Sequence, residues 1–210
     1  MRAGGTRSGQ PPGRGPKVRA AVLAATLSEL AETGYAAMTI ENVAQRAGVH
    51  KTTVYRRWPS RERLVADAVT ELAGTRVPFP DSDDIGADLR TLARSLVRFL
   101  GSPLGQAVTA VMQSDAGRIP EVADAQRRRF EERYRQAGPV IARAIARGEL
   151  PPDTDPAEVV RNVLAPIYLR VLVSGEPITE IAADAAAGAA LAAARAGALS
   201  RPSGDPGREA

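Results

Sequence analysis

The chain of 210 residues has no cysteine, a single histidine and only two lysines, and aromatic residues make up 4% of it. Without cysteine there is no disulfide, no thiolate nucleophile and no Cys-ligated zinc or iron–sulfur centre, and a reducing cytoplasm is the expected setting. With His50 the sole histidine, His-rich metal sites are excluded, as is a Ser-His-Asp triad built on any other His. No catalytic residue, metal or cofactor is therefore expected. Long apolar runs are missing as well. Residues 20–31 (AAVLAATLSELA) faintly resemble a signal-peptide core, but Glu29 and Glu32 interrupt them, while 182–198 are small and include Asp184 and Arg195. No segment is expected to span a membrane.

Charge is present but unevenly shared. The formal net charge is +4, and residues 1–75 carry 11 Lys and Arg against 6 Asp and Glu, whereas residues 76–210 carry 17 against 18. A basic front and a near-neutral rear suit a nucleic-acid reader joined to a part that need not touch phosphate. The basic residues are almost all Arg, alongside heavy Ala, Gly and Pro usage, which is also what a GC-rich genome produces.

Hydrophobic spacing predicts an all-α protein with nine or so helices and no strand, repeat or heptad pattern. Residues 1–16 (MRAGGTRSGQPPGRGP) and 201–210 read as disordered tails, the first basic enough either to stay solvated or to fall onto DNA. Residues 17–75 read as a helix-turn-helix domain with a linking helix, and 76–200 as a helical regulatory and dimerisation domain. In the front, Val18, Val22, Leu23, Leu27 and Leu30 share a face, with Gly34 as the stop. In the rear, helices are expected at 84–100, 103–114, 121–147 with a break at Gly138-Pro139, 156–173 with a kink at Pro166, and 178–199.

Residues 39–64 (TIENVAQRAGVHKTTVYRRWPSRERL) carry the chemistry. Thr39 caps a short helix, Ala47-Gly48-Val49 makes a tight corner, and a second helix from Lys51 to Trp58 holds Lys51, Thr52, Thr53, Tyr55, Arg56 and Arg57. Pro59 ends it and Ser60 caps the next helix, with Leu64, Ala68 and Leu72 inward. A polar, basic second helix over an apolar stripe is the pattern of a major-groove reader. Lysine can donate to guanine N7 and O6, and Thr can meet a base edge or a thymine methyl, so Lys51 and Thr52 in the first turn face bases. His50 is either a base reader or a neutral cap. Arg56 and Arg57 read as phosphate clamps, and Trp58 as core.

With Gly34-Tyr35, Thr39, Ala47-Gly48-Val49, Thr53-Val54-Tyr55-Arg56-Arg57-Trp58, Arg61 and Leu64 in place, residues 18–73 resemble the tetracycline-repressor (TetR) family of one-component regulators. His50 stands where Ser or Ala is usual in that family, and Trp58 where Phe is usual. The resemblance implies that Thr39, Tyr55 and Arg61 hold DNA phosphates, which sets register rather than sequence. It implies a homodimer of all-α subunits pairing through the last two helices, bound to a pseudo-palindromic double-stranded operator.

For the rear domain the residues alone suggest an apolar pocket lined by Leu92, Leu96, Phe99, Met112, Phe130, Tyr134, Ile167, Tyr168 and Val171, with the two tyrosines as polar handles. Ordinary core packing explains the same residues. The run Arg127-Arg128-Arg129, with Glu131, Glu132 and Arg133, reads as a solvated helical face. The expected function is a dimeric repressor released from its operator by a small apolar ligand. The alternatives are an activator or ligand-independent dimeric reader, an architectural DNA protein binding through its basic tails and, more remotely, a helical carrier or enzyme with a vestigial reader.

Overall fold

A computed structural model describes residues 14–73 and 79–201. Most of both tails, the segment 74–78 and the side chain of Leu72 lie outside the described residues. Nine α-helices are present among those described, together with one 3-10 turn, one π turn and no strand. They are α1 (Arg14–Ala37), α2 (Ile40–Arg46), α3 (Lys51–Arg57), α4 (Arg61–Ala73), α5 (Ile85–Gly101), α6 (Pro103–Gln113), α7 (Pro120–Ala146), α8 (Pro156–Leu169) and α9 (Glu180–Arg195).

Several boundaries differ from the sequence reading, each for a local reason. Helix α1 begins at Arg14, inside the segment read as a tail. Gly34, with φ 75° and ψ 167°, breaks the helical path where a stop was expected, and the chain regains helical geometry only briefly to Ala37. Helix α7 runs unbroken through Pro139. Gly138 precedes that proline and has no Cβ to clash with its ring, so the usual bias against helix before proline is relieved. Helix α8 passes Pro166 and ends at Leu169, where a π turn, Arg170–Ser174, takes over. Helix α9 is shorter than expected at both ends, because Thr179 caps it and Gly197 closes it with φ 74°.

Two apolar cores hold the molecule. The rear core joins α5, α7, α8 and α9 through Leu89, Leu92, Leu96, Ile141, Val163, Ile167, Ala183 and Ala187, all essentially inaccessible to solvent. The front core contains Leu23, Leu30, Val43, Val54, Trp58, Leu64 and Val69, and it does not stop at the chain boundary near residue 76. Val108 and Val111 of α6 and Val122 and Ala125 of α7 are buried in the same cluster. Helix α1 thus lies on α6, and α4 on α7. The close turn between α5 and α6 depends on Gly105, whose place a Cβ would fill only 1.9 Å from the Phe99 carbonyl oxygen.

Candidate nucleic-acid interface

The reader is built from caps and a buried brace. The Thr39 hydroxyl accepts a hydrogen bond from the Asn42 amide at 3.1 Å and starts α2, which leaves its own O–H free to donate outward. Gly48, at φ 66°, makes the corner, and Val49 donates its amide to the Ala44 carbonyl. His50 is the N-cap of α3: its Nδ1 accepts from the Thr52 amide at 3.4 Å. An accepting Nδ1 places the ring proton on Nε2, so one histidine both caps the helix and offers an outward donor. Capping and base reading, held as alternatives from the sequence, are compatible here.

Beneath the surface, Glu29 of α1 is 4% exposed and accepts from Asn42 Nδ2 at 3.1 Å and Arg46 Nε at 3.2 Å. Arg46 also grips Glu32 at 2.7 and 2.5 Å, and that partner holds the Glu32 carboxyl below its ordinary range. This brace fixes α2 against α1, and Arg46 is committed to it. Trp58 is 1% exposed and donates Nε1–H to Asp67 at 2.9 Å, which confirms it as core.

The side chains read as DNA contacts divide into two groups. Lys51, Thr52, Tyr55, Arg56 and Arg57 are exposed along α3, with Thr53 half-buried and Thr39 and His50 exposed beside them. The Tyr55 hydroxyl donates to Glu41 at 3.3 Å; partial burial, then the Glu41 charge, raises the phenol pKa above its ordinary value, so it remains a donor at neutral pH. Arg61 behaves differently. Its guanidinium lies over the Tyr35 ring at 4.1 Å and donates to the Tyr35 and Met38 carbonyl oxygens at 3.1 and 3.2 Å.

Residues 22–68 match the family model for bacterial regulatory proteins of the tetR family, and residues 79–198 match a tetracyclin repressor-like C-terminal domain. The chain belongs to the TetR family. A Bacillus subtilis relative, the uncharacterized HTH-type transcriptional regulator YdeS, is 32% identical over 76% of this chain and 81% of its own length. The HTH-type transcriptional regulator AqdR of Rhodococcus erythropolis is 32% identical over 79% of each chain. Among solved structures, the TetR family transcription regulator SCO0332 superposes with a TM-score of 0.67 at 30% identity, covering 84% of this chain and 97% of its own. The flavonoid-responsive regulator FrrA gives 0.63 at 25% identity over 90% and 100%. The protein is a DNA-binding transcription regulator and not an enzyme.

The nine residues of the regulator's rear domain read as a pocket lie in different surroundings. Leu92, Leu96 and Ile167 are sealed in the core, while Met112 packs on the front cluster and Phe99 touches both. Phe130 and Tyr134 line a groove of about 500 Å³ with Arg127, Glu131, Ala157 and Arg161. Tyr168 meets the Phe130 ring edge-on at 5.7 Å, and Val171 is half-buried in the π turn. The reading of 127–133 as one solvated face is corrected: Arg129 and Arg133 are 8% and 9% exposed. The inward stripe of α7 (Val122, Ala125, Ala137, Val140, Ala144) passes through both positions, and extending that spacing inward would have found them. No helix among the described residues is long and apolar enough to cross a membrane.

Proposed function

We propose that this regulator is a homodimeric repressor, acting in the bacterial cytoplasm, that reads a pseudo-palindromic operator and leaves it when a small ligand occupies the rear domain. The observation that carries the reading is the exposed first turn of α3, where Lys51, Thr52 and His50 are open to solvent with no carboxylate within ion-pair distance of Lys51 among the described residues. Lys51 and Thr52 meet base edges, with His50 Nε2 beside them. Thr39, Tyr55, Arg56 and Arg57 meet phosphates. Arg61, drawn inward onto Tyr35, acts by holding α1 against α4. Release is a population shift, in which the ligand binds better to the form whose recognition helices are wrongly spaced for DNA.

Selection of the full chain on random DNA is expected to return a palindrome with half-sites about 34–36 Å apart. Lys51→Ala should then lose preference at one or two base pairs per half-site, while Tyr55→Phe weakens all sequences alike and leaves the preference intact. Recovery of no palindrome, or an even loss on every sequence with Lys51→Ala, overturns the reading.

A further inference from the structure

The middle of α7 contains an arrangement that the DNA-reading function does not use. Its buried stripe is apolar at Val122, Ala125, Ala137, Val140 and Ala144, yet one turn apart in the centre stand Arg129 and Arg133, each more than nine-tenths buried. Arg129 Nη2 reaches only the Tyr168 hydroxyl, at 3.4 Å, and its guanidinium lies 4.8 Å over the Phe130 ring. Arg129 Nε and Arg133 Nη1 are buried with no hydrogen-bond partner. Among the described residues no carboxylate lies within ion-pair distance of either side chain.

Guanidinium does not give up its proton in a protein, so both groups enter the interior charged. Burying an unpaired cation is costly, and two of like sign one turn apart repel each other. Burial, the largest effect, lowers the Arg133 pKa; Arg129's charge lowers it further and the Tyr168 phenol opposes. A structural stripe would place Leu or Ala at these positions without that cost. Beside the pair lie three rings, Phe130 with Tyr134 at 6.3 Å and with Tyr168 at 5.7 Å.

We infer that the α7–α8 interface binds a small amphiphilic acid, its oxyanion head (carboxylate or phosphate) on Arg129 and Arg133 and its apolar body against Phe130, Tyr134 and Tyr168. The Tyr168 hydroxyl, already near Arg129, donates to the same head. Guanidinium forks match both carboxylate and phosphate oxygens, so the two heads share one site. Helix α7 also packs on α4, which leads out of the reader, so an anion that draws Arg129 and Arg133 together acts on the helix carrying the DNA-binding domain. The site refines the effector reading, from an apolar ligand to an acidic one. Only its link to DNA release rests on the proposed function.

The test is thermal unfolding of the full chain with phenylbutyrate, phenyl phosphate, inorganic phosphate or the neutral phenylbutanol, for the wild type, Arg129→Met, Arg133→Met and the double variant. Without additive the Met variants are expected to melt at or above the wild-type temperature, because an uncompensated charge has been removed. Phenylbutyrate or phenyl phosphate at saturation should raise the wild-type Tm by about 5 °C more than phenylbutanol does, and should leave the double variant where it was. Whichever aromatic acid acts more strongly identifies the head, and a response to inorganic phosphate alone marks an adventitious ion only and removes the proposal. It is equally overturned if neither aromatic acid outperforms phenylbutanol on the wild type, if the double variant responds as the wild type does, or if the Met variants melt well below it. An acid that stabilises the wild type but leaves affinity for the selected DNA unchanged keeps the site and rejects ligand-driven release.

Discussion

Arg56 and Arg61 carry the same charge on neighbouring helices and do different work. Arg56 is exposed with no acidic partner within ion-pair distance among the described residues, so its cost or benefit is decided by what docks there. Arg61 stacks on Tyr35 and satisfies two carbonyls around the end of α1, which are otherwise left over where Gly34 breaks the helix. Charge-assisted hydrogen bonds and a ring contact of this kind together contribute about 2 kcal/mol. Arg61→Ala is therefore expected to lower unfolding free energy in urea by about that amount, with Arg56→Ala within about 0.5 kcal/mol of wild type. In DNA-binding titrations the order reverses: Arg56→Ala lowers the salt slope by about one, and Arg61→Ala leaves it unchanged. The recognition helix was legible in the sequence because the cations in its short run lie off the stripe of Val54 and Trp58. The contacts of Arg61 were not, because they reach back to Tyr35 and Met38, which no local spacing encodes.

At the scale of elements, what was legible followed local punctuation. Thr39, Gly48, Pro59, Ser60 and Asp155 act on their own backbone, so the ends of α2, α3, α4 and α8 lie where those residues place them. Arg129 and Arg133 were missed because the alternating charge around them masked the inward spacing of α7, the side that packs towards its neighbouring helices. In α9 the small residues Ala183, Ala186, Ala187 and Ala190 face its own subunit's core, while Ala185, Gly188, Ala189 and Ala192, equally small, are exposed on the other side. Among the described residues the large exposed aliphatic side chains lie around the corner joining α8 to α9: Leu169 is 56% exposed, Val173 76% and Ile181 82%. Residues this greasy and open are what a second subunit covers. Ile181→Glu and Leu169→Glu are expected to shift the protein from dimer to monomer in sedimentation without lowering its helix content, and to weaken binding to a two-half-site operator far more than to a single half-site. A dimer unchanged by both substitutions would move the interface elsewhere.

For the whole molecule the core at the joint between reader and rear domain is apolar, while the ties Arg46–Glu32 and Arg94–Asp184 each lie within one half. Val108, Val111, Val122 and Ala125 share a core with Leu27, Val65 and Val69 across the joint. The carboxylates held below their ordinary range sit on either side of it. Glu32 is held by its bond to Arg46 and Asp184 by its two-pronged bond to Arg94. Asp84 is held by the Ala87 and Gly86 amides. For Glu149, burial raises the carboxyl, but the Ile85 amide and Arg147 together outweigh it. The sign follows from the direction. A carboxyl whose folded pKa lies below its unfolded value, about 3.9 for Asp and 4.3 for Glu, stabilises the fold above that value and loses the contribution as pH falls through the folded one. Stability should thus be level from neutral pH down to about 5 and fall steeply below about 4. Asp184→Asn, which removes one such group and leaves Arg94 without its closest partner, should lower stability at neutral pH and flatten the acid limb. Because the shared apolar core does not titrate, acid is expected to lower the urea midpoint while the two halves still unfold in one transition. Two separated transitions at low pH, followed by circular dichroism and by Trp58 fluorescence from the reader, would show instead that the joint depends on charge.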